Sequence, residues 1–280
     1  MYYNTRMIQV LQEAALKGGQ VLRSYFRKNL LPTNKTTHHN IVTKADIESQ
    51  KEIQTFIIRT FSKKMNIPVD EIGFIGEEGL YKKGRYTFVI DPLDGTSNFA
   101  SGIDFFGVSI ALFIDHSLKF GVIYQPIQDI LYYAISGEGA YKTSNKKTQK
   151  LTMKNLDLKS TYFNGSLSAN DHVRKTQLVM YDKLFHEFLG HIALNAAAPL
   201  LCLVADNVIG LYISGDGMIS HVGISIWDIA AGKLILEEAG GVITDWKGHE
   251  FDIVLDQPEK KYSFIACHHD RLQKILGLMK

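Results

Sequence analysis

The feature that most constrains this chain is a run of four short segments, YTFVI, FFGVSIALFI, LKFGVIYQP and DILYYAIS, beginning at Tyr86 and ending at Ser136. They are rich in β-branched and aromatic residues and separated by turn sequences such as DHS and PIQD. Connections of that length join antiparallel neighbours and leave no room for crossover helices, so an antiparallel sheet is expected rather than βαβ units. Upstream the apolar period is helical. Ile8, Leu11, Ala15, Gly18, Val21, Leu22 and Tyr25 predict a first amphipathic helix, and Ile47, Ile53, Phe56, Ile57 and Phe61 predict a second over 47–61. Two helices are thus expected before the first strand.

Downstream, the polar stretch KTSNKKTQKLTMKNLDLKS over 142–160 marks the expected boundary between an N-terminal α+β half, 1–150, and a C-terminal α/β half, 151–280, packed as one compact unit. WDIAAGKLILEEAGG reads as a helix stopped by Gly240 and Gly241, GVITDW and KYSFIACH as strands, and DRLQKILGLMK as a closing helix capped by Asp270. Alternating α and β layers fit this order. At 280 residues, 45% hydrophobic and 21% charged, the chain can bury a sizeable core, and a formal charge of +2 argues against a nucleic-acid or membrane surface. Cys202 and Cys267 lie in apolar sequence and read as reduced, buried thiols. The first twenty residues have no signal-peptide core, and no apolar run approaches transmembrane length. A soluble cytoplasmic protein is the expectation.

Residues 88–99, FVIDPLDGTSNF, place Asp91 and Asp94 at the end of an apolar run. Desolvated carboxylates at such a place repel each other unless a cation or proton lies between them, and a hard divalent metal such as Mg²⁺ answers that need. Gly95, Thr96 and Ser97 follow with backbone N–H groups able to receive an anion beside the cation. A bare D-x-x-D-G is equally compatible with an Asp-capped turn. Glu77 and Glu78 in GFIGEEG, and Asp228 at the start of the WDIAAG helix, are two more junctions with carboxylates, and each alone would read as a cap or solvated turn. Two histidine pairs, His38–His39 and His268–His269, are expected to point to opposite faces of extended chain and so not to share a metal. SGEGAYK reads as a tight turn, since no helix follows it.

Taken in order, IVTKADIES, FIGEEG, DPLDGTSNF and WDIAAGKLILEEAGGVITD resemble the signatures of the inositol monophosphatase family of Mg²⁺-dependent, lithium-sensitive phosphomonoesterases over nearly the whole chain. The resemblance implies a layered αβαβα sandwich of the α+β class and a homodimer. It implies two or three Mg²⁺ ions, with Mn²⁺ as a substitute, held by Glu77, Asp91, the Leu93 carbonyl, Asp94 and Asp228. Asp46 and Thr96 would position and deprotonate the attacking water, with Glu77 assisting through its metal. Gly95, Thr96, Ser97, Ala197, His221 and Asp228 would bind a small phosphate monoester.

Two departures from the family pattern bear on the substrate. Asn195 stands where the family's alanine stretch begins with Gly, and His221 falls where a glutamate seven residues before Asp228 binds an inositol hydroxyl. The segment 206–223 also looks longer than the family norm, as if a loop or hairpin had been inserted. Inositol 1-phosphate leads among the expected substrates, with fructose 1,6-bisphosphate and the nucleotide phosphates NADP and 3′-phosphoadenosine 5′-phosphate as alternatives. A protein-binding regulatory module with secondary phosphatase activity is the alternative of another class.

Overall fold

The computed structural model describes residues 2–27, 33–34, 41–42, 44–215 and 223–279. Helix α1 (Tyr2–Tyr25) packs on α2 (Lys44–Met65). Between them β1 (Thr33–Asn34) and β2 (Ile41–Val42) pair antiparallel, so a short strand pair precedes the second helix, contrary to the expectation of two helices first. Ile53, Ile57 and Phe61 are buried as their spacing predicts, but Ile47 is 54% exposed, lying off the face that meets α1 and the sheet.

The chain then runs through β3 (Ile72–Gly76), β4 (Leu80–Lys82), β5 (Tyr86–Asp94), α3 (Thr96–Ala100), β6 (Gly107–Ile114), β7 (Ser117–Gln125), β8 (Ile130–Ile135), β9 (Gly139–Ser144) and β10 (Lys147–Lys150). Among the described residues these strands form one eight-stranded sheet in the order β10-β9-β8-β7-β6-β5-β3-β4. From β5 to β10 every pairing is antiparallel, as the hairpin-length connections require. The β3–β5 pair is parallel, which the antiparallel expectation did not contain. The three-residue β4 turns the chain back along the sheet edge, so β5 re-enters beside β3 in the same direction. The expected 142–160 boundary begins inside this sheet, in β9, and includes all of β10. Its polar composition reflects an exposed edge strand. SGEGAYK is the β8–β9 turn and the start of β9, with the Gly137 and Gly139 amides donating to Glu238 at 2.6 and 2.8 Å.

The second sheet contains β11 (Tyr162–Gly165), β12 (Gly190–His191), β13 (Leu211–Ser214), β14 (Gly241–Thr244) and β15 (Phe264–His268) in the order β12-β11-β13-β15-β14. Helix α4 (Asp171–Glu187) lies between β11 and β12 in the chain, α5 (Ala197–Ala205) before β13, α6 (Ile226–Glu238) before β14 and α7 (Leu272–Leu278) at the end. Leu211–Ser214 fall within the apparent insertion, yet they are the central strand of this sheet, pairing with β11 and β15. Those four residues are part of the fold's framework.

Among the described residues, three apolar cores separate five layers. One joins α1 and α2 to the first sheet, one holds α5 and α6 between the sheets, and one joins α4 and α7 to the outer face of the second sheet. Strand alternation decides which side chain enters which core. On β5, Phe88 and Ile90 face α1 and α2 while Val89 faces α5 and α6, so Asp91 inherits the inner side. Helix α6 lies close on β7: a methyl group added to Gly121 would stand 2.8 Å from the Ala231 carbonyl oxygen.

Cys202 and Cys267 are buried and free. Among the described residues, no helix is long and apolar enough to cross a membrane. Asp270 does not cap the closing helix. It sits inside a 3₁₀ turn (His269–Arg271) whose cap is the His268 ring, accepting from Asp270 N, and Arg271 precedes α7 without a side-chain cap. The same turn overturns the expectation for His268 and His269. The chain leaves the strand between them, so their rings stack with centroids 4.6 Å apart instead of facing opposite ways. His38 and His39 lie outside the described residues.

Candidate active site

The end of β5 is distorted where the carboxylates stand. Its register against β6 slips between Asp91 and Asp94, and the Asp91 carboxylate accepts from Leu93 N at 2.9 Å across the irregularity. Gly95 then takes φ 95°, a left-handed conformation that favours glycine, and a Cβ there would stand 3.0 Å from the Ala196 side chain and 3.1 Å from the Phe105 carbonyl oxygen. This turn starts α3, and Thr96 donates its hydroxyl to the Leu93 carbonyl at 3.0 Å. The first-turn amides of α3 lack intrahelical acceptors by construction.

The parallel pairing of β3 with β5 supplies the next carboxylate. Gly76 is opposite Ile90, and one residue further on each strand are Glu77 and Asp91. Asp228 comes from the other half of the chain, as the third residue of α6, where Ser225 N donates to its Oδ2 at 2.7 Å. Asp228 is therefore both a cap and a member of the cluster: one oxygen caps the helix while the carboxylate also stands beside Asp91 and Asp94. Oxygen atoms of Asp91, Asp94 and Asp228 lie within 4.8 Å of one another.

These three residues line a cavity of about 260 Å³ together with Glu77, Leu93, Gly95, Thr96, Ser97 and Ala197. Asp46 is buried in the first turn of α2 and is not on the cavity wall. One turn later Ser49 donates to the Pro92 carbonyl at 3.1 Å, fixing α2 to the distorted strand end. His221 lies outside the described residues.

Burial raises all three aspartates, and repulsion from neighbouring carboxylates adds to it at Asp91 and Asp94. Asp91 is pushed well above the usual carboxylate range by desolvation, then by Glu77, Asp94 and Asp228. Desolvation and Asp228 do the same to Asp94, opposed by the backbone amides of Ala198 and Ala197. Asp228 is raised by desolvation and held back by its bonds to Asp91 and Ser225. Ala197 thus lines the cavity, but its N–H serves Asp94. An all-oxygen, buried, mutually repelling donor set fits a hard divalent cation, which would remove the repulsion at its source.

Several groups that build the site gave no signal in the sequence. Ser109 is paired with Asp91 across the sheet and donates to the Trp227 carbonyl at 3.1 Å, tying the first sheet to the residue before Asp228. Asn98 donates to the carbonyls of Phe105 at 2.7 Å and Asn195 at 2.8 Å, joining α3 to the chain that enters α5. Asn195, the residue in place of the expected glycine, therefore contributes its main chain to that junction. Tyr212 and Ser214 also line the cavity, from β13, within the segment that looks longer than the family norm.

A layered α+β sandwich with three clustered carboxylates, Asp91 and Asp94 buried and Asp228 half-buried, on the wall of an open cleft defines a class of protein with an acidic centre able to hold metal. A model of the inositol monophosphatase family matches residues 4–275, and the chain belongs to that family. It is 33% identical over 245 residues to the Nus factor SuhB of Pasteurella multocida strain Pm70, with 86% of each chain covered. It is 32% identical over 242 residues to the fructose-1,6-bisphosphatase/inositol-1-monophosphatase of Aquifex aeolicus, with 85% of each covered. The crystal structure of the extragenic suppressor protein suhB from Bartonella henselae superposes with a TM-score of 0.82 at 29% identity, covering 98% of both chains.

Proposed function

We propose that this protein is a Mg²⁺-dependent phosphomonoesterase acting on a small phosphorylated polyol, inositol 1-phosphate first. The observation that carries the reading is the convergence of Asp91, Asp94 and Asp228 from two halves of the chain beside the Gly95 turn. Glu77, Asp91, the Leu93 carbonyl, Asp94 and Asp228 would hold the ions. When bound, Mg²⁺ neutralises phosphoryl oxygens and lowers the pKa of water. The chain's own groups do the rest. The amides of Gly95, Thr96 and Ser97 receive the phosphate; Thr96, on the cavity wall, orients the water, and Asp46, buried behind that wall, would take its proton through Thr96. Asp228 is fixed by Ser225, so its position survives substrate entry. Phosphoryl transfer needs mainly positioning and electrostatics, which this arrangement supplies without a covalent nucleophile.

A second reading, a regulatory protein that works through a macromolecular partner, is favoured by the similarity to a protein named Nus factor. One experiment separates the two. Phosphate release is measured with and without Mg²⁺ over inositol 1-phosphate, fructose 1,6-bisphosphate, NADP and 3′-phosphoadenosine 5′-phosphate. The enzymatic reading expects Mg²⁺-dependent release with the highest kcat/KM for inositol 1-phosphate. A folded protein that releases phosphate from none of them leaves the regulatory reading standing.

A further inference from the structure

A groove of about 940 Å³ runs over the outer face of the α1–α2 layer and shares no lining residue with the carboxylate cavity. It follows the seam between the two helices. Lys64 of α2 reaches Glu13 of α1 at 3.1 Å, and a methyl group added to Gly18 would stand 2.6 Å from the Ile53 side chain, so the helices run antiparallel and close together. Their apolar faces are turned to the first sheet, which leaves polar side chains on the outside. Arg6 and Lys17 stand three turns apart on α1, and Glu52, Phe56, Arg59 and Lys63 follow at three- and four-residue spacing on α2.

The charge of this face is unlike that of the rest of the molecule. Arg6, Lys17, Arg59, Lys63 and Lys64 line the groove with a single acid, Glu52. The chain as a whole carries only +2, so the surface outside the groove is net negative, and it stays so when Glu13 is counted with the groove. Among the described residues, Lys17, Arg59 and Lys63 have no carboxylate partner. Arg59 and Lys63 are also like charges at i,i+4, an arrangement that weakens a helix and that an anionic partner relieves.

Shape selects among anionic partners. The lined stretches, Arg6 to Lys17 and Glu52 to Lys64, are each roughly 16 to 18 Å long, about three turns. A third helix packs along such a seam by setting its ridges into the groove. A single-stranded nucleic acid needs exposed aromatic faces on which bases stack. Among the described residues Phe56 is the one aromatic side chain lining the groove, and it is half-buried against the core beneath. Glu52 in the wall also opposes a continuous phosphate backbone, whereas a helix with spaced carboxylates can pass it.

We propose that the α1–α2 groove is a docking site for an acidic amphipathic helix of a partner protein. Carboxylates three and four residues apart on that helix face Arg59 and Lys63 on one wall and Lys17 on the other, and its apolar stripe lies over Phe56. The proposal stands apart from the chemistry of the carboxylate cavity, because groove and cavity have no residue in common.

The test uses the full chain and a fluorescein-labelled helical peptide of about 18 residues, built of Glu, Leu and Ala with a Leu stripe between two rows of Glu. A peptide of the same composition in scattered order is the control. Fluorescence anisotropy is expected to show the ordered peptide binding about tenfold more tightly than the scattered one, and more weakly as salt is added. The double reversal Arg59→Glu, Lys63→Glu should weaken binding about tenfold or more, and Lys17→Glu, on the facing helix, should also weaken it, with circular dichroism unchanged in both variants. Equal binding of the two peptides, or ordered-peptide binding that survives the double reversal, would overturn the proposal. Tighter binding of single-stranded oligouridylate, lost in the same variants, would overturn it in favour of a nucleic-acid site. A dimer in light scattering that the double reversal splits would overturn it in favour of a second copy of this chain.

Discussion

Asp94 is the most informative single side chain, because it faces a would-be cation on one side and the N-terminus of α5 on the other. Asp94→Asn keeps an oxygen for the Ala198 amide but removes the charge. Turnover should fall by about 10²-fold or more, as for other lost charge-stabilising groups, while the circular dichroism of the fold is unchanged. Near-normal turnover in a folded variant would remove Asp94 from the centre. The raised aspartates give a second prediction. Above about pH 4 an unfolded carboxylate has lost its proton, whereas Asp91, Asp94 and Asp228 keep theirs to higher pH in the metal-free fold. The folded state then binds more protons, so metal-free stability declines as pH rises through that interval. Metal must displace those protons. Calorimetry in buffers of different ionisation enthalpy should detect proton release on Mg²⁺ binding, and the rise in Tm given by Mg²⁺ should be larger at pH 8 than at pH 5.5. These carboxylates were readable in the sequence because charge in apolar sequence is conspicuous. Ser109, Asn98 and the Ala198 amide were not, because a hydroxyl or amide acquires its role only from what tertiary contact brings to it.

Among the elements, α5 is anchored at both ends. Its first amides meet Asp94, and its C-cap residue Asp206 accepts from the Lys142 ammonium and, at 3.1 Å, from the Tyr132 hydroxyl. Lys142 and Asp206 are 20% and 13% exposed, so removing one partner strands the other. Asp206→Asn should cost about 3 kcal/mol in urea unfolding and should raise the Mg²⁺ concentration for half-maximal activity, since α5 loses the anchor opposite Asp94. A stability loss with unchanged Mg²⁺ dependence would confine the contact to folding. The legibility of elements followed the range of their contacts. The β5–β8 meander and α6 were readable because hairpin turns and helical periods are local. The parallel β3–β5 pair, the central strand β13 and the edge strand β10 were not readable because register and sheet position depend on residues far along the chain.

At the scale of the whole molecule, one surface lacks a cover among the described residues. Leu178, Val179 and Phe185 on α4 and Leu189 beyond it are 50%, 63%, 53% and 55% exposed. Exposed apolar side chains concentrated on one helix mark an association surface, and the homodimer implied by the family resemblance offers an occupant. If the parent protein is dimeric in light scattering, Phe185→Glu is expected to convert it into a monomer while leaving the melting of α4 cooperative; an unchanged dimer mass would place the interface elsewhere, and a monomeric parent would remove the homodimer expectation. The layering itself was legible from the order of helices and strands, but the way the layers meet was not. Asp228 rides on α6, and α6 rests on β7 at Gly121 with no space for a methyl group. The gap between the carboxylates of the two halves is thus set by a contact two strands away from Asp91. Preference among divalent ions of different radius can therefore drift by substitution at Gly121 or its neighbours, with every ligand retained, so two relatives with identical acidic residues need not favour the same ion.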